Sequence, residues 1–446
     1  MPGRISRRQA LLSGAGAILG AVGLAGCARG PGGAKEGSFD QVGAAVPAQY
    51  EKRKVIVAWH SFGGTNGEAM MALTDKFNRS QNDIYLDMQF QGSYDTTLEK
   101  LTGALQSGSA PDLVTVSEGS QGKLELQQIA QPMNEFFSDE ELSRFNKVML
   151  SQWMVGDEVT QLPFARSTPL FYFNRDLYAE IGLPDRAPKT WKEFSEWGAE
   201  IHQHKDPHGD PMIMMASDTS AWEYQGYVWE FGGKLSDGLD VTLNKDGAAD
   251  AADYLRNLCQ KKYMAVAAQD TFNNAFAAGG MYSTASIANI TKTAKFRLGV
   301  GFMPAEKERA CPTGGSGFTM PKGIDRSNKE AAAEVLRFLA QADNAAYWTI
   351  STGYVPIVDD AAKSEVFLNK AKEDPNYLMA VHQLKYARST DPVRSFVPGA
   401  GTICSQYISL LYQSDEPVQP LLDRWTSALT RSAENVRPQY EALFGA

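Results

Sequence analysis

Residues 55–59 (VIVAW), 84–90 (IYLDMQF) and 112–116 (DLVTV) are three strand-like runs of the sequence. Apolar residues at helical spacing separate them, in segments that contain Leu73 and Leu101. Strands that alternate with helices indicate a parallel sheet with helices on both of its faces. In such sheets ligands bind beyond the carboxyl ends of the strands. We therefore expect functional side chains just after these runs.

A second α/β series begins near Gln161. Similar signals recur along the rest of the chain without a clear linker and without an internal repeat. We therefore expect two α/β lobes, between which the chain crosses more than once. The elements predicted in this part are strands at 169–174, 212–216, 282–287 and 297–302, a helix capped by Thr190, a helix at 331–340, and a helical tail at 407–443 that breaks at Pro417.

The composition is that of a globular protein. Of the 446 residues, 43% are hydrophobic and 21% are charged, which excludes a disordered chain, collagen and a coiled coil. The net charge is −9, from 43 basic and 52 acidic residues, and we expect no nucleic-acid partner. Four cysteines are too few for a disulfide scaffold. The length corresponds to about two to four domains.

The N-terminal segment resembles an export signal. Arg7 and Arg8 form a twin-arginine arrangement before the apolar run 10–24, and Leu24-Ala25-Gly26-Cys27 resembles a bacterial lipobox. We predict a twin-arginine lipoprotein signal over 1–26, lipidation of Cys27, and a lipidated tether over 27–50 rich in Gly, Ala and Pro. The alternatives are an uncleaved anchor and an ordinary secretory signal with a chance cysteine.

The sequence contains no convincing catalytic motif. No Walker loop, H-E-x-x-H or G-x-S-x-G elbow is present in the body of the chain. The three histidines within 202–208 lie where a helix ends in a Pro/Gly loop, so we interpret them as a solvated turn rather than a metal site. The acidic residues 139–141, Asp237 and Asp240 are interpreted as surface charge. We expect a protein without enzymatic activity, metal or cofactor.

Residues 161–174 (QLPFARSTPLFYFN) resemble the extracellular solute-binding proteins of ABC importers, in particular their glycerol-3-phosphate and glycerophosphodiester-binding branch. The supporting pieces extend over nearly the whole body of the chain. They are 59–61 (WHS), 110–114 (APDLV), 182–184 (GLP), 190–194 (TWKEF), 311–315 (CPTGG), 352–356 (TGYVP) and 394–399 (RSFVPG).

The resemblance implies an α/β, two-lobed, periplasmic-binding-protein-like fold of type II, with a ligand cleft between the lobes. The implied N-terminal lobe comprises 51–163 and 303–342, and the C-terminal lobe comprises 164–302 and 343–446. Closure of the lobes on the ligand is a hinge motion. The resemblance further implies a monomer, anchored by lipid at the extracytoplasmic face of the bacterial cell membrane, that delivers its ligand to ABC permease subunits.

The resemblance also implies a set of cleft residues whose chemistry suits a phosphodiester. Arg394 offers a fork of charge-assisted donors, and Glu118 can accept from glycerol hydroxyls or face a choline cation. The aromatic residues can pack on the glycerol backbone or take a quaternary ammonium group against a ring. The implied ligand-binding residues are Tyr94, Glu118, Ser167, Trp222, Ser286, Gly314, Gly315, Tyr354 and Arg394.

Several alternatives stay open. Trp222 can instead be a core residue, and Ser283 lies on the same strand pattern as Ser286. Some family members carry a second tryptophan where this chain has Thr219, so a phosphodiester with a head group is expected to fit better than bare glycerol 3-phosphate. The expected ligands are glycerophosphodiesters such as glycerophosphocholine, or glycerol 3-phosphate. The competing readings are an oligosaccharide-binding protein of the same fold and an exported phosphodiesterase.

Overall fold

The computed structural model describes residues 46–445, so the predicted signal, the predicted lipidation of Cys27 and most of the predicted tether lie outside the described residues. The strands, in chain order, are β1 (Lys54–His60), β2 (Ile84–Phe90), β3 (Leu113–Ser117), β4 (Met154–Val155), β5 (Glu158–Val159), β6 (Leu162–Ser167), β7 (Pro169–Asn174), β8 (Met215–Ser217), β9 (Ser236–Asp237), β10 (Asp240–Val241), β11 (Met264–Val266), β12 (Gly279–Ser283), β13 (Leu298–Gly301), β14 (Cys311–Pro312), β15 (Gly314–Thr319) and β16 (Ala387–Arg388).

Helices connect these strands and form the C-terminal part of the chain. They are α1 (Gly64–Ser80), α2 (Tyr94–Ser107), α3 (Gln121–Leu126), α4 (Asp139–Ser143), α5 (Lys147–Ser151), α6 (Arg175–Glu180), α7 (Trp191–Ile201), α8 (Ala221–Glu230), α9 (Asp246–Gln260), α10 (Gln269–Asn273), α11 (Ile287–Thr293), α12 (Arg326–Leu339), α13 (Ala342–Thr352), α14 (Glu365–Glu373), α15 (Asn376–Gln383), α16 (Pro392–Phe396), α17 (Ala400–Gln413), α18 (Val418–Glu434) and α19 (Arg437–Phe444). Short 3-10 turns occupy Ala48–Tyr50, Glu118–Ser120, Met133–Glu135, Thr284–Ser286, Ala361–Lys363 and Leu384–Tyr386.

The first lobe is built on a five-stranded sheet of order β2-β1-β3-β15-β6. Strands β1, β2 and β3 are parallel, as the alternating pattern predicts. Strand β15 runs antiparallel between β3 and β6. The predicted parallel sheet is therefore confirmed for these three strands, whereas β15, for which no direction was predicted, joins the sheet antiparallel. This strand returns to the sheet from the opposite direction, because it follows an excursion of the chain through the second lobe.

The second lobe contains a sheet of order β11-β8-β12-β7-β13. Strands β8, β11 and β12 are parallel to one another, whereas β7 is antiparallel to both β12 and β13. Strand β7 has the bounds predicted from its apolar run, and every residue in it is buried. A run buried on both faces is typical of a central strand, which explains why this segment lacks polar alternation.

The chain changes sheets between β6 and β7. Strand β6 ends at Ser167 in the first sheet, and β7 begins at Pro169 in the second, with Thr168 between them. The proline restricts the preceding residue to an extended conformation, which suits a direct passage from strand to strand. The chain returns between β13 and β15. The first passage between the sheets lies at Thr168, four residues after the limit of 163–164 predicted for the lobes. The other predicted lobe limits stay predictions.

Local signals for helix ends are confirmed. The Thr190 side chain accepts a hydrogen bond from the Glu193 backbone N–H and begins α7. Ser138 and Glu141 form a capping box at the start of α4. The predicted break at Pro417 separates α17 from α18. Each of these signals acts within a few residues, so it can be read without tertiary information.

The predicted strand at 282–287 is wrong at its C-terminal end. Strand β12 ends at Ser283, and a 3-10 turn and helix α11 follow. The Ser283 hydroxyl accepts a hydrogen bond of 3.1 Å from the Ala285 backbone N–H. Such a bond offers the backbone an alternative to the strand ladder, and it ends the strand here.

Within residues 46–445, no helix combines the length and apolar character needed to cross a membrane. Cys259, Cys311 and Cys404 are free thiols, and the last two are buried. Burial raises the pKa of the Cys404 thiol to about 11, so this side chain stays protonated at neutral pH.

Candidate functional site

Two predicted site residues lie at the carboxyl edge of the first sheet. Tyr94 is the first residue of α2, beyond the end of β2, and Glu118 directly follows β3. The Ser93 side chain accepts from the Thr96 backbone N–H and caps α2, which fixes the position of Tyr94. Since β2 and β3 both pair in parallel with β1, their carboxyl ends lie at the same edge. The position of these residues agrees with the expectation for ligand sites in such sheets.

The paired ends of β6 and β15 contribute to the same edge. Ser167 pairs with Gly314, and Arg166 pairs with Gly315. Gly315 has a φ of +97°, and a Cβ atom at this position would lie 1.9 Å from the carbonyl oxygen of Ala165. Only glycine fits this close approach of two strands, which explains its place next to the site.

An arginine–glutamate–arginine cluster lies at the centre of the site. Arg394 Nη2 donates a hydrogen bond of 2.7 Å to Glu118 Oε1, and Arg166 Nη1 lies 4.0 Å from Glu118 Oε2. Arg394 Nη2 also donates to Thr390 Oγ1 at 3.2 Å. The Glu118 and Arg394 side chains are each 8% exposed, and that of Arg166 is fully buried. Both Glu118 carboxylate oxygens thus face cations in this structure.

The Arg166 side chain is held in place without a full set of acceptors. Its Nη2 atom donates 2.7 Å to Thr313 Oγ1, and its guanidinium lies 5.1 Å from the ring centroid of Trp153. Burial lowers the pKa of Arg166 to about 10, against the opposing effect of the Glu118 carboxylate. The group therefore remains cationic at neutral pH. Its Nε and Nη1 atoms are buried and have no hydrogen-bond partner among residues 46–445.

The half-buried Tyr94 and the buried Tyr354 lie beside this cluster. The Tyr94 hydroxyl donates 3.2 Å to Ser316 Oγ and interacts with the hydroxyl of Tyr354. The Tyr354 ring stacks on Trp348 with a centroid distance of 5.7 Å. Burial raises the pKa of Tyr94 and raises that of Tyr354 well above its ordinary value. Both hydroxyls are therefore neutral at neutral pH and can donate hydrogen bonds.

The second lobe contributes Trp222, which lies near the start of α8. A Cβ atom at Gly314 would lie 2.6 Å from the Trp222 indole, so the ring packs directly on the β15 backbone. The Trp222 Nε1 atom is buried and has no hydrogen-bond partner in the described part of the chain. Nearby, Ser405 Oγ donates 2.7 Å to the carbonyl oxygen of Thr219. Trp222 thus presents a donor close to the first lobe.

Ser286 is joined to the site less directly. It ends the 3-10 turn after β12 and is half-buried. A Cβ atom at Gly353 would lie 2.4 Å from the Thr284 carbonyl oxygen, which places this turn against the residue before Tyr354. The side chain of Ser286 makes no cap to α11.

A groove of about 890 Å³ adjoins the cluster. Ser117, Gly119 and Ser395 line it, and they are the chain neighbours of Glu118 and Arg394. Ser405, which contacts Thr219, lines it as well. This volume is within the range of small-molecule sites.

The structure therefore brings most of the predicted site residues together. Tyr94, Glu118, Ser167, Gly314, Gly315, Tyr354 and Arg394 surround the cluster, Trp222 packs on Gly314, and Ser286 is connected through its turn. Sequence reasoning missed Arg166, Thr313 and Ser316. A detectable signal existed for Arg166, since it is a charged residue inside the otherwise uncharged run 161–174.

This arrangement suits an anion. Two guanidinium groups and one carboxylate sum to a charge of +1. The described residues offer no hydrogen-bond acceptor to three of the arginine nitrogens, which are Arg166 Nε, Arg166 Nη1 and Arg394 Nε. Buried donors without partners are costly, so a ligand or water must supply the acceptors. Within residues 46–445, no group of three or more His, Cys, Asp or Glu side chains is arranged to hold a metal ion.

The chain is similar to characterised binding proteins. It is 28% identical to the sn-glycerol-3-phosphate-binding periplasmic protein UgpB of Pectobacterium atrosepticum over 330 residues, 69% of this chain and 74% of that protein. Its identity with UgpB of Yersinia enterocolitica is 29%, over 71% of this chain and 77% of that protein.

Solved structures share its fold. UgpB of Mycobacterium tuberculosis in complex with glycerophosphocholine has a TM-score of 0.78 and 26% identity, over 85% of this chain and 98% of that one. The cyclic α-maltosyl-1,6-maltose binding protein of Arthrobacter globiformis has a TM-score of 0.76, 20% identity, and coverage of 86% and 100%. These matches confirm the α/β fold with two sheet-containing lobes. Residues 72–378 match the model of the bacterial extracellular solute-binding proteins, and the chain belongs to this family.

Proposed function

We propose that this protein is the lipid-anchored binding component of an ABC importer and captures glycerophosphodiesters such as glycerophosphocholine, or glycerol 3-phosphate, by closure of its cleft. The observation that carries the proposal is the pair Arg166 and Arg394 around one carboxylate, with donors left free. Phosphate oxygens are strong acceptors of charge-assisted hydrogen bonds from guanidinium groups. The relatives described as binding glycerol 3-phosphate or glycerophosphocholine support the same ligand class.

The neutral donors of the site suit the glycerol part of such a ligand. Tyr94, Tyr354 and Trp222 combine an apolar ring with a polar atom, so they can cover carbon atoms while they donate to hydroxyls. The adjoining groove offers room for a head group, and the small residue Thr219 contacts Ser405, which lines this groove. We therefore favour a diester with a head group over bare glycerol 3-phosphate.

The predicted signal and Cys27 bear on where in the cell the protein acts. Cleavage after Gly26 and lipidation of Cys27 would hold the protein at the extracytoplasmic face of the membrane, where it would meet the permease as a monomer. The role is binding and delivery without turnover, in accord with the family of solute-binding proteins. Globomycin, which inhibits lipoprotein signal cleavage, tests the anchor: it should cause the larger precursor to accumulate.

An oligosaccharide is the alternative ligand. Tyr94, Tyr354 and Trp222 give the site aromatic surfaces of the kind that pack on sugar rings. A neutral sugar, however, leaves the net charge of +1 on the Arg166–Glu118–Arg394 cluster uncompensated. Burial of an uncompensated charge is costly, which favours the anionic ligand.

Isothermal titration calorimetry tests the ligand class with glycerophosphocholine, glycerol 3-phosphate and maltose. We expect binding of the first and none of maltose. Arg394→Ala should weaken binding of glycerophosphocholine by at least about 2 kcal/mol, since a charge-assisted contact is lost. Arg388→Ala is the matched control, because the Arg388 side chain is exposed and pairs with Glu308 instead of Glu118. Tight binding of maltose that Arg394→Ala leaves intact would overturn the phosphate ligand.

A further inference from the structure

We propose that Glu118 sets the charge of the ligand, so that the site selects a phosphate group with one negative charge, a phosphodiester, over a phosphomonoester. This inference rests on the proposed function and deepens it, because it assigns Glu118 a role in specificity. The resemblance implies that Glu118 accepts from glycerol hydroxyls or faces a choline cation. Here its two carboxylate oxygens instead face Arg166 and Arg394.

The charge of the cluster follows from these contacts. Two guanidinium groups contribute +2 and the Glu118 carboxylate contributes −1, which leaves +1 for the ligand to neutralise. All three side chains are at least nine-tenths buried. In a poorly solvated site, each uncompensated charge has a large cost, so a ligand of charge −1 is the best match.

The other groups around the cluster do not change this sum. The hydroxyls of Tyr94 and Tyr354 and the thiol of Cys404 are neutral, because burial raises the pKa of each of them. The Asp391 carboxylate, three residues before Arg394, accepts hydrogen bonds from the Leu235 backbone N–H and the Trp229 indole, whereas Arg394 donates to Glu118 and Thr390. Among the described residues that line the adjoining groove, the acid Asp95 and the base Lys123 offset each other. Thr313, Ser316 and Thr390 are further polar neighbours of the cluster, and they are neutral.

The ligand classes differ in charge at neutral pH. A phosphomonoester has a second pKa of about 6 and carries about −1.5 to −2 at pH 7, whereas a diester carries −1. The dianion would add a second negative charge next to the Glu118 carboxylate. A site with a net charge of +1 therefore favours the diester, and it favours the monoester only after the latter takes up a proton.

The test compares glycerol 3-phosphate with its methyl ester, which differs by a methyl group and by the charge of the phosphate. Calorimetry at pH 5.5, 7 and 8 gives both dissociation constants. We expect the affinity for glycerol 3-phosphate to fall about tenfold per pH unit above pH 6, while that for the methyl ester stays constant. The methyl ester also controls for titration of protein groups, including Glu125, whose pKa burial raises to about 7.

The matched variants are Glu118→Gln, which removes the charge, and Glu118→Asp, which keeps it. With Glu118→Gln, the preference for the methyl ester at pH 8 should fall at least tenfold, whereas Glu118→Asp should keep the preference. If Glu118→Gln does not fold, the pH series on the unmodified protein decides. Equal pH responses of the two ligands would overturn the proposed preference for a phosphate with one negative charge, but not the proposed function. Failure of both ligands to bind at any pH would overturn the proposed function, and with it the proposed preference for a phosphate with one negative charge.

Discussion

Arg394 donates a hydrogen bond of 2.7 Å to Glu118, although 276 residues separate them in the chain. Glu118 follows a strand of the first sheet, and Arg394 lies on α16. The two segments are packed very closely, since a Cβ atom at Gly122 would lie 2.4 Å from the Cα atom of Phe396. The ion pair thus joins distant parts of the chain at the point where the candidate ligand site forms.

Loss of one partner of this pair should destabilise the fold. Arg394→Met leaves the Glu118 carboxylate with only the more distant Arg166, and we expect the free energy of unfolding to fall by about 3–5 kcal/mol. In the double variant with Glu118→Gln, part of this loss should be recovered, with a coupling energy of about 1–3 kcal/mol. Urea denaturation measures both values. Strict additivity of the single variants would contradict a buried ion pair.

Exposed ion pairs provide the comparison. Arg326 and Glu330 lie 3.1 Å apart on the surface of α12, with more than half of each side chain exposed. Arg326→Met should lower the free energy of unfolding by less than about 1 kcal/mol, because solvent screens this pair.

Replacement of Gly315 should disturb both the fold and the site. The Gly315→Ala side chain would meet the Ala165 carbonyl oxygen at 1.9 Å, in a backbone conformation with φ of +97°. We expect a loss of at least about 2 kcal/mol in the free energy of unfolding, measured by urea denaturation. The control is Gly103→Ala in the exposed middle of α2, where an added Cβ would meet no described atom within 4 Å beyond the backbone of its own helix. This change should stabilise the protein by about 0.5–1 kcal/mol. A neutral Gly315→Ala would refute the close approach.

Glu125 should lower stability at alkaline pH. It is buried and hydrogen-bonded by Thr160, and burial raises its pKa from 4.5 to about 7. The folded state holds this proton more tightly than the unfolded chain does. The stabilising contribution of protonated Glu125 is therefore complete below pH 4.5 and is lost as the pH rises to about 7. The change in the free energy of unfolding caused by Glu125→Gln should therefore be about 3 kcal/mol more stabilising at pH 8 than at pH 4.5. Urea denaturation at the two pH values checks this difference, and an equal effect at both would contradict it.

His60 should have the opposite dependence. It is fully buried, its Nδ1 accepts a hydrogen bond from the Phe62 backbone N–H, and burial lowers its pKa from 6.5 to about 4. The unfolded chain takes up a proton first, so this contribution is complete above pH 6.5 and is lost as the pH falls to about 4. The loss amounts to about 3 kcal/mol. His60→Gln should flatten the acid side of the stability profile measured by urea denaturation. An unchanged acid slope would show that His60 is hydrated in the folded state.

Much of the local structure could be predicted from the sequence. Strand β2 alternates apolar and polar residues, and its bounds agree with that pattern. Strand β7 is a continuous apolar run, and Thr190 begins α7 as predicted. The antiparallel direction of β15 was not predictable, because a strand's own residues do not specify the direction in which it joins a sheet. The same holds for the end of β12, where one serine hydroxyl competes with the strand ladder.

The candidate site, too, was predictable only in part from the sequence. Arg394 and Glu118 were identified from motifs, but each was assigned to the ligand separately. That Glu118 lies between two arginines follows only from the packing of β6, α16 and the turn after β3. Arg166 was overlooked because motif comparison points to the residue beside it, Ser167, and nothing in a single strand shows that a buried charge lacks acceptors.

The family, the order of strands and helices, and the residue types able to bind a phosphate could all be inferred from the sequence. These depend on periodicity, caps and motifs, which act over a few residues. The tertiary structure alone decided which charges meet and how many remain uncompensated. Electrostatic balance is set by distance and burial, and Glu118 and Arg394 come within 2.7 Å only when segments 276 residues apart are packed together.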